Sequence, residues 1–117
     1  MLEDVHRRRV LVKKPSFLKI IRSEKTIGIL KDQNHYPILK ILKKAPDGKT
    51  VKELEEAYEK ETGKKKSNKT IYRYLKTLEE AELVISAGQL VVSGKTATET
   101  IYARSAIAFF FMAASLS

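Results

Sequence analysis

The stretch GKKKSNKTIYRYLKTLEE, residues 63–80, sets five lysines and one arginine within fourteen positions and then closes on two glutamates. The chemistry these residue types offer is recognition of an anion. Ser67, Asn68 and Thr70 bring short polar groups to the point where a helix would begin, where free backbone amides and the helix dipole already favour phosphate. Ser67 or Asn68 serves as the N-cap. From there Ile71, Leu75, Leu78 and then Leu83, helped by Tyr74, mark a core side. At about 100° per residue, Lys69, Arg73, Lys76 and Glu80 collect on the opposite side, flanked by Tyr72 and Thr77. Arg73 carries the fork that pairs with guanine and Asn68 the amide that pairs with adenine. Lys65, Lys66, Lys69 and Lys76 are suited to neutralising phosphates, with Tyr72 as a groove wall. The plain alternative is a lysine-rich solvated helix behind a charged loop.

The elements that must position this helix are legible on both sides. In NHYPILKILKKAPDG, Ile38, Leu39, Ile41, Leu42 and Ala45 recur at helical spacing. Pro37 suits a first helical turn, and Pro46 with Asp47-Gly48 ends the helix. TVKE then forms a capping box, Thr50 to Glu53, for a second helix with Val51, Leu54, Ala57 and Tyr58 inward and Gly63 as its terminal cap. Upstream, Phe17, Leu18, Ile20 and Ile21 read as a short strand or a helical turn, and Ser23-Glu24-Lys25 as a helix start. Downstream, β-branched and aromatic residues predict two antiparallel strands over 83–92 and 98–103, joined by SGKTAT. The end, RSAIAFFFMAASLS, reads as an apolar helix with Ile107, Phe110, Phe111 and Ala114 along one side. Three consecutive phenylalanines are hard to bury in so small a chain and point to a partner surface.

The totals agree with one compact domain. The chain has 117 residues, a net charge of +9 and a pI near 9.8. That balance favours nucleic acid or an anionic surface as partner. Seven Lys/Arg and no acid lie in residues 5–23, and the first dozen residues read as a basic arm, Arg7–Arg9 and Lys13-Lys14 being its phosphate contacts. The absence of cysteine excludes disulfides, thiolate metal sites and cysteine nucleophiles. With His6 and His35 as the only histidines, neither a metal site nor a catalytic cluster is expected, and no cofactor is called for. The longest uncharged apolar run, 106–114, is far short of the roughly 20 residues of a membrane span, so no membrane partner and a cytoplasmic location are expected.

Two stretches carry a resemblance. ILKILKKAPDGKTVKEL and TIYRYLKTLEEAELV resemble the helix-turn-helix core of the arsenic-repressor (ArsR-like) winged-helix family, especially its archaeal members, and ETIYARSAIAFFF resembles that family's last wing strand and dimerising C-terminal helix. The resemblance runs from about Phe17 to Met112. It implies an α+β, mainly helical chain: a winged helix-turn-helix with a three-helix core, a β-hairpin wing and a C-terminal dimerisation helix. The implied division is a basic arm over 1–16, a DNA-binding domain over 17–103 and a dimerisation helix over 104–117. It implies no enzyme, but a homodimeric regulator of transcription, of the repressing kind, that binds double-stranded DNA. Helix 67–82 would enter the major groove, and the wing tip 93–97, with Lys95 and Thr96, would lie on the backbone or minor groove. Phe17, Ile20, Ile21, Ile107, Phe110, Phe111 and Ala114 would form the contact between copies. The chain departs from the family at His35 and Pro37 and in the lengthened turn GKKKS. The alternative from another class is a winged-helix protein-interaction module, cut short before a further C-terminal segment.

Overall fold

The hairpin expected over 83–103 is present, and it has a third strand. The computed structural model describes residues 7–92 and 98–111. Among them the elements run β1 (Arg7–Leu11), β2 (Ser16–Ile21), α1 (Glu24–Lys31), α2 (Tyr36–Lys43), α3 (Val51–Thr62), α4 (Asn68–Glu80), β3 (Val84–Val92), β4 (Glu99–Arg104) and β5 (Ala106–Phe111). The class is α+β, four helices with a three-stranded and a two-stranded sheet among the described residues. No helix among the described residues is long and apolar enough to cross a membrane.

Local signals set the helices. Ser23 caps α1 through Thr26. Pro37 sits in the first turn of α2, whose Pro37, Ile38, Leu39, Ile41 and Leu42 are all buried. Both arms of the Thr50–Glu53 capping box are made at the start of α3, and Gly63 ends that helix in the left-handed conformation, at φ 76°. At the end of α4 the amides of Leu83 and Glu82 bond the carbonyls of Leu78 and Glu79, a Schellman closure with Glu82 at φ 62° in the place glycine usually takes. The core joins α2, Leu54 and Tyr58 of α3, Ile71, Leu75 and Leu78 of α4, and Leu83, Val84 and Tyr102.

Two segments depart from expectation. Within the expected basic arm, Arg7–Leu11 form β1, the antiparallel edge of a sheet ordered β1-β3-β4, running from Arg7 opposite Val92 to Leu11 opposite Gly88, while residues 1–6 lie outside the described residues. A charged strand is what a solvent-facing sheet edge tolerates, so its polarity concealed it. Its seat is made by Gly88, beside a register shift in β3: a Cβ there would lie 1.9 Å from the Val10 carbonyl oxygen. Arg9 then reaches across to the Glu53 carboxylate at 3.0 Å and the Gly48 carbonyl at 2.6 Å.

The second departure is the C-terminal helix. Residues Ala106–Phe111 form a strand, β5, that pairs in parallel with β2, Ser16 opposite Ala106 and Ile21 opposite Phe111. A short apolar run has no periodicity to distinguish strand from helix, and its partner lies far away in the chain. The remainder of the expected helix, including Ala114, lies outside the described residues. Ile21 and Phe109 turn into the core, while Ile20 and Phe110 face out. This small sheet is rooted at the C-terminal end of α4, where Lys19 Nζ and Ser105 Oγ both donate to the Glu82 carbonyl, at 2.5 and 2.7 Å.

Candidate nucleic-acid interface

The candidate interface is built on α4, whose two sides differ sharply. Ile71, Leu75 and Leu78 are completely buried. Asn68, Lys69, Tyr72 and Arg73 are exposed on the other side, in line with the spacing of their residue types. Burial of the apolar stripe fixes the rotation of the helix, so the polar stripe is held outward without needing contacts of its own.

The residues read as anion contacts fall into three groups. Asn68, Lys69 and Arg73 make no ion pair and no side-chain hydrogen bond among the described residues, and neither do exposed Lys65 and half-buried Lys66 in the preceding turn. Ser67 and Thr70 are occupied: the Ser67 hydroxyl accepts from the Thr70 amide at 3.2 Å and donates to the Thr70 hydroxyl at 3.1 Å. They shape the helix start and leave the other first-turn amides open. Lys76 is half-buried and held at home, 2.9 Å from Glu79 and 5.6 Å from the centre of the Tyr72 ring. The Glu79 carboxylate, ahead of Tyr72, raises its pKa, so it stays a cation but is engaged. Lys95 and Thr96 lie outside the described residues.

Beside the stripe runs a cleft of about 410 Å³, lined by Val51 and Lys52 of α3, Asn68, Lys69 and Tyr72 of α4, and Glu99, Thr100 and Tyr102 of β4. It brings the first turns of α3 and α4 together against the base of the hairpin. Tyr102 is its buried floor, and burial followed by the neighbouring Tyr72 raises the pKa of its phenol, which keeps the group neutral and able to donate. Lys52 reaches over the rim to within 3.9 Å of Glu99. Sequence reading missed Lys52, Thr100 and Tyr102 as neighbours of the basic helix. The signal was the capping box itself, since it marks where the first turn of α3 begins, but the hairpin's position across that turn is a tertiary fact.

The β1 strand supplies less than the arm was expected to. Arg9 is committed to Glu53, whereas Arg8, Lys13 and Lys14 are exposed. Of the residues expected at a contact between copies, Phe17, Ile20, Ile107 and Phe110 are exposed and apolar. Ile21 is not available to a partner, because it is a core residue. His35 sits at the N-cap of α2 with Nδ1 3.2 Å from Asp32 and its ring 4.9 Å from that of Tyr74, so its side chain lies between a carboxylate and a tyrosine. Among the described residues no three His, Asp or Glu side chains are grouped to hold a metal ion. Compared with known proteins, the chain matches no protein-family model and no curated protein.

Proposed function

We propose that this chain is a DNA-binding regulator of the winged-helix kind, similar to the arsenic-repressor family, in which α4 enters the major groove and the β3–β4 hairpin flanks it on the backbone. The observation that carries the reading is the free outward stripe of α4: Asn68, Lys69 and Arg73 stand exposed and unpaired among the described residues, on a helix whose other side is fully buried. A cation without an internal partner keeps its full charge for a ligand. A helix held from behind presents it at fixed spacing, as groove reading requires.

The element order supports the same reading, since α2, capped α3 and basic α4 are followed directly by an antiparallel hairpin. In this arrangement Arg73 addresses a guanine edge and Asn68 an adenine edge. Lys65, Lys66 and Lys69 neutralise phosphates, and Lys76 joins them only by leaving Glu79. The cleft between α3, α4 and β4 lies where the strand backbone would pass, with Lys52 on its rim. Two copies set two such helices about one helical turn of DNA apart.

The test is fluorescence anisotropy with random-sequence duplex DNA across a salt series, for the parent chain and a Lys69→Ala, Arg73→Ala double variant. The parent is expected to bind at low salt with a steep negative log–log slope, and the variant to bind about tenfold or more weakly with a flatter slope. If the two proteins bind alike, or neither binds, α4 is not a DNA-contacting helix and the reading falls.

A further inference from the structure

Where β4 gives way to β5, a cation is set into an apolar pocket. Ile107 and Phe109 are two apart in β5 and so share the side of the strand that faces the helices. Phe109 packs against the core, yet Ile107 on that same side is 56% exposed. It looks into a pocket of about 410 Å³ between β5 and α2, with apolar walls from Leu30, Leu39, Ile107 and Phe109. That volume is in the range of small-molecule sites. Arg104 lines the pocket too, its guanidinium lying over the Phe109 ring at 4.5 Å from the centre. Its Nε donates to the Ala106 carbonyl at 3.2 Å, which orients the fork and leaves both terminal nitrogens without a partner among the described residues. Burial lowers the Arg104 pKa, and the only group that pushes it back up is the Tyr36 phenol, not a carboxylate.

We infer that this pocket binds a small carboxylate carried on an apolar body, the acid group on the Arg104 fork and the body along Leu30, Leu39 and Ile107. A cation taken partly out of water is costly unless an anion meets it, and the described residues supply none to Arg104. Two other cations line the pocket, but Lys40 is held by Glu61 at 2.9 Å and Lys43 is exposed to solvent. One negative charge therefore suffices. A carboxylate is planar and takes two parallel hydrogen bonds from a guanidinium, which is the geometry the terminal nitrogens offer. The apolar walls disfavour a bare inorganic anion, because they replace none of the water it would shed. Tyr36 adds a phenol at the same pocket as a further donor. The inference stands apart from the DNA-binding reading, since the pocket shares no residue with α4.

The experiment is isothermal titration calorimetry of the full chain with octanoate and with benzoate, set against octanamide and inorganic phosphate. At least one of the two carboxylates is expected to saturate at one per chain. Octanamide, which lacks the charge, and phosphate, which lacks the apolar body, should bind at least about tenfold more weakly. Arg104→Gln is expected to weaken carboxylate binding about 10–100-fold, the worth of a charge-assisted hydrogen-bonded pair. Arg104→Lys should recover only part of that loss, because an ammonium has no fork. If the Arg104 variants do not keep the parent's far-UV spectrum, Ile107→Glu decides the matter. Its position is a surface one, and it sets a competing carboxylate in the pocket, so the folded variant should take up neither probe. Absence of saturable binding by both carboxylates overturns the inference. So does phosphate binding as tightly as they do, which is the ordinary attraction of a chain of net charge +9, and so does an Arg104→Gln protein that binds like the parent. None of these readouts involves duplex DNA, so the two readings stand or fall separately.

Discussion

Glu53 illustrates how much one side chain can hold at once. One carboxylate oxygen accepts from the Thr50 amide at 2.9 Å and completes the capping box of α3, while Arg9 of β1 donates to the group from the other side at 3.0 Å. Burial pushes the Glu53 pKa up, but the Thr50 amide, the Arg9 guanidinium and Lys49 outweigh it, and the net shift is downward. A depressed carboxylate stabilises the fold above its unfolded pKa, and that contribution is lost as pH falls through the folded value. Glu53→Gln separates the two roles, because glutamine still reaches the Thr50 amide but cannot pair with Arg9 as an anion. The variant is expected to be less stable than the parent near neutral pH by about 1 kcal/mol or less, the pair being part-exposed. The gap should begin to close as pH falls into the ordinary glutamate range and vanish once pH drops through the parent's depressed folded value, where the carboxylate protonates. Thermal melts of both proteins at neutral, mildly acidic and strongly acidic pH would show it. A gap that does not change with pH would mean the anion contributes nothing.

Gly88 performs a comparable service for a whole element. β1 lies so close to β3 that a Cβ at Gly88 would meet the Val10 carbonyl oxygen at 1.9 Å and the Leu11 Cα at 2.8 Å, both backbone atoms that cannot swing aside. Gly88→Ala is therefore expected to lift β1 from the sheet and to cost about 1–3 kcal/mol, typical of overpacking. The damage should be confined: amide exchange at Val12 and Lys13, which bond the Ala87 carbonyl, would accelerate, while Leu75 and Leu78 in α4 would stay protected. Uniform acceleration across the chain would show instead that β1 is part of the cooperative core. Why β1 and β5 eluded a sequence reading that found α2, α3, α4, β3 and β4 follows from the same contrast. The elements found carry their own instructions, such as Pro37, the Thr50–Glu53 box, Ser67 and Gly63. β1 is a strand because of Gly88, and β5 is a strand because of β2, partners remote in sequence and invisible to local spacing. The candidate site divides likewise. The outward stripe of α4 was legible from periodicity, but the pairing of Lys76 with Glu79 and the cleft floor at Tyr102 depend on how side chains and the hairpin pack.

At the scale of the whole molecule, the proposed two-copy arrangement on DNA makes a prediction about salt dependence. The cations without an internal partner on and before α4 are Lys64, Lys65, Lys66, Lys69 and Arg73 among the described residues, and of these Lys65, Lys66 and Lys69 are the proposed phosphate contacts. They cluster on its N-terminal half, and the apolar β2–β5 sheet springs from its C-terminal end at Glu82. Each neutralised phosphate contributes about −0.9 to the log–log dependence of affinity on salt, so one copy engaging phosphates through Lys65, Lys66 and Lys69 gives a slope near about −2.7, and two copies held together a slope near about −5.4. Ile20→Ser with Phe110→Ser, at the contact between copies that the resemblance implies, leaves every one of these cations in place. The variant should then bind duplex DNA with about half the parent's slope and a much lower affinity, because the second helix no longer arrives at a concentration set by the first. Lys69→Ala with Arg73→Ala, by contrast, should flatten the slope while leaving the mass of the parent unchanged. Measuring slope and mass on the same four proteins, parent, sheet variant, helix variant and their combination, separates the surfaces. Equal slopes for the parent and a monomeric sheet variant would mean that one copy makes all the contacts, and a two-fold arrangement on DNA would have no support.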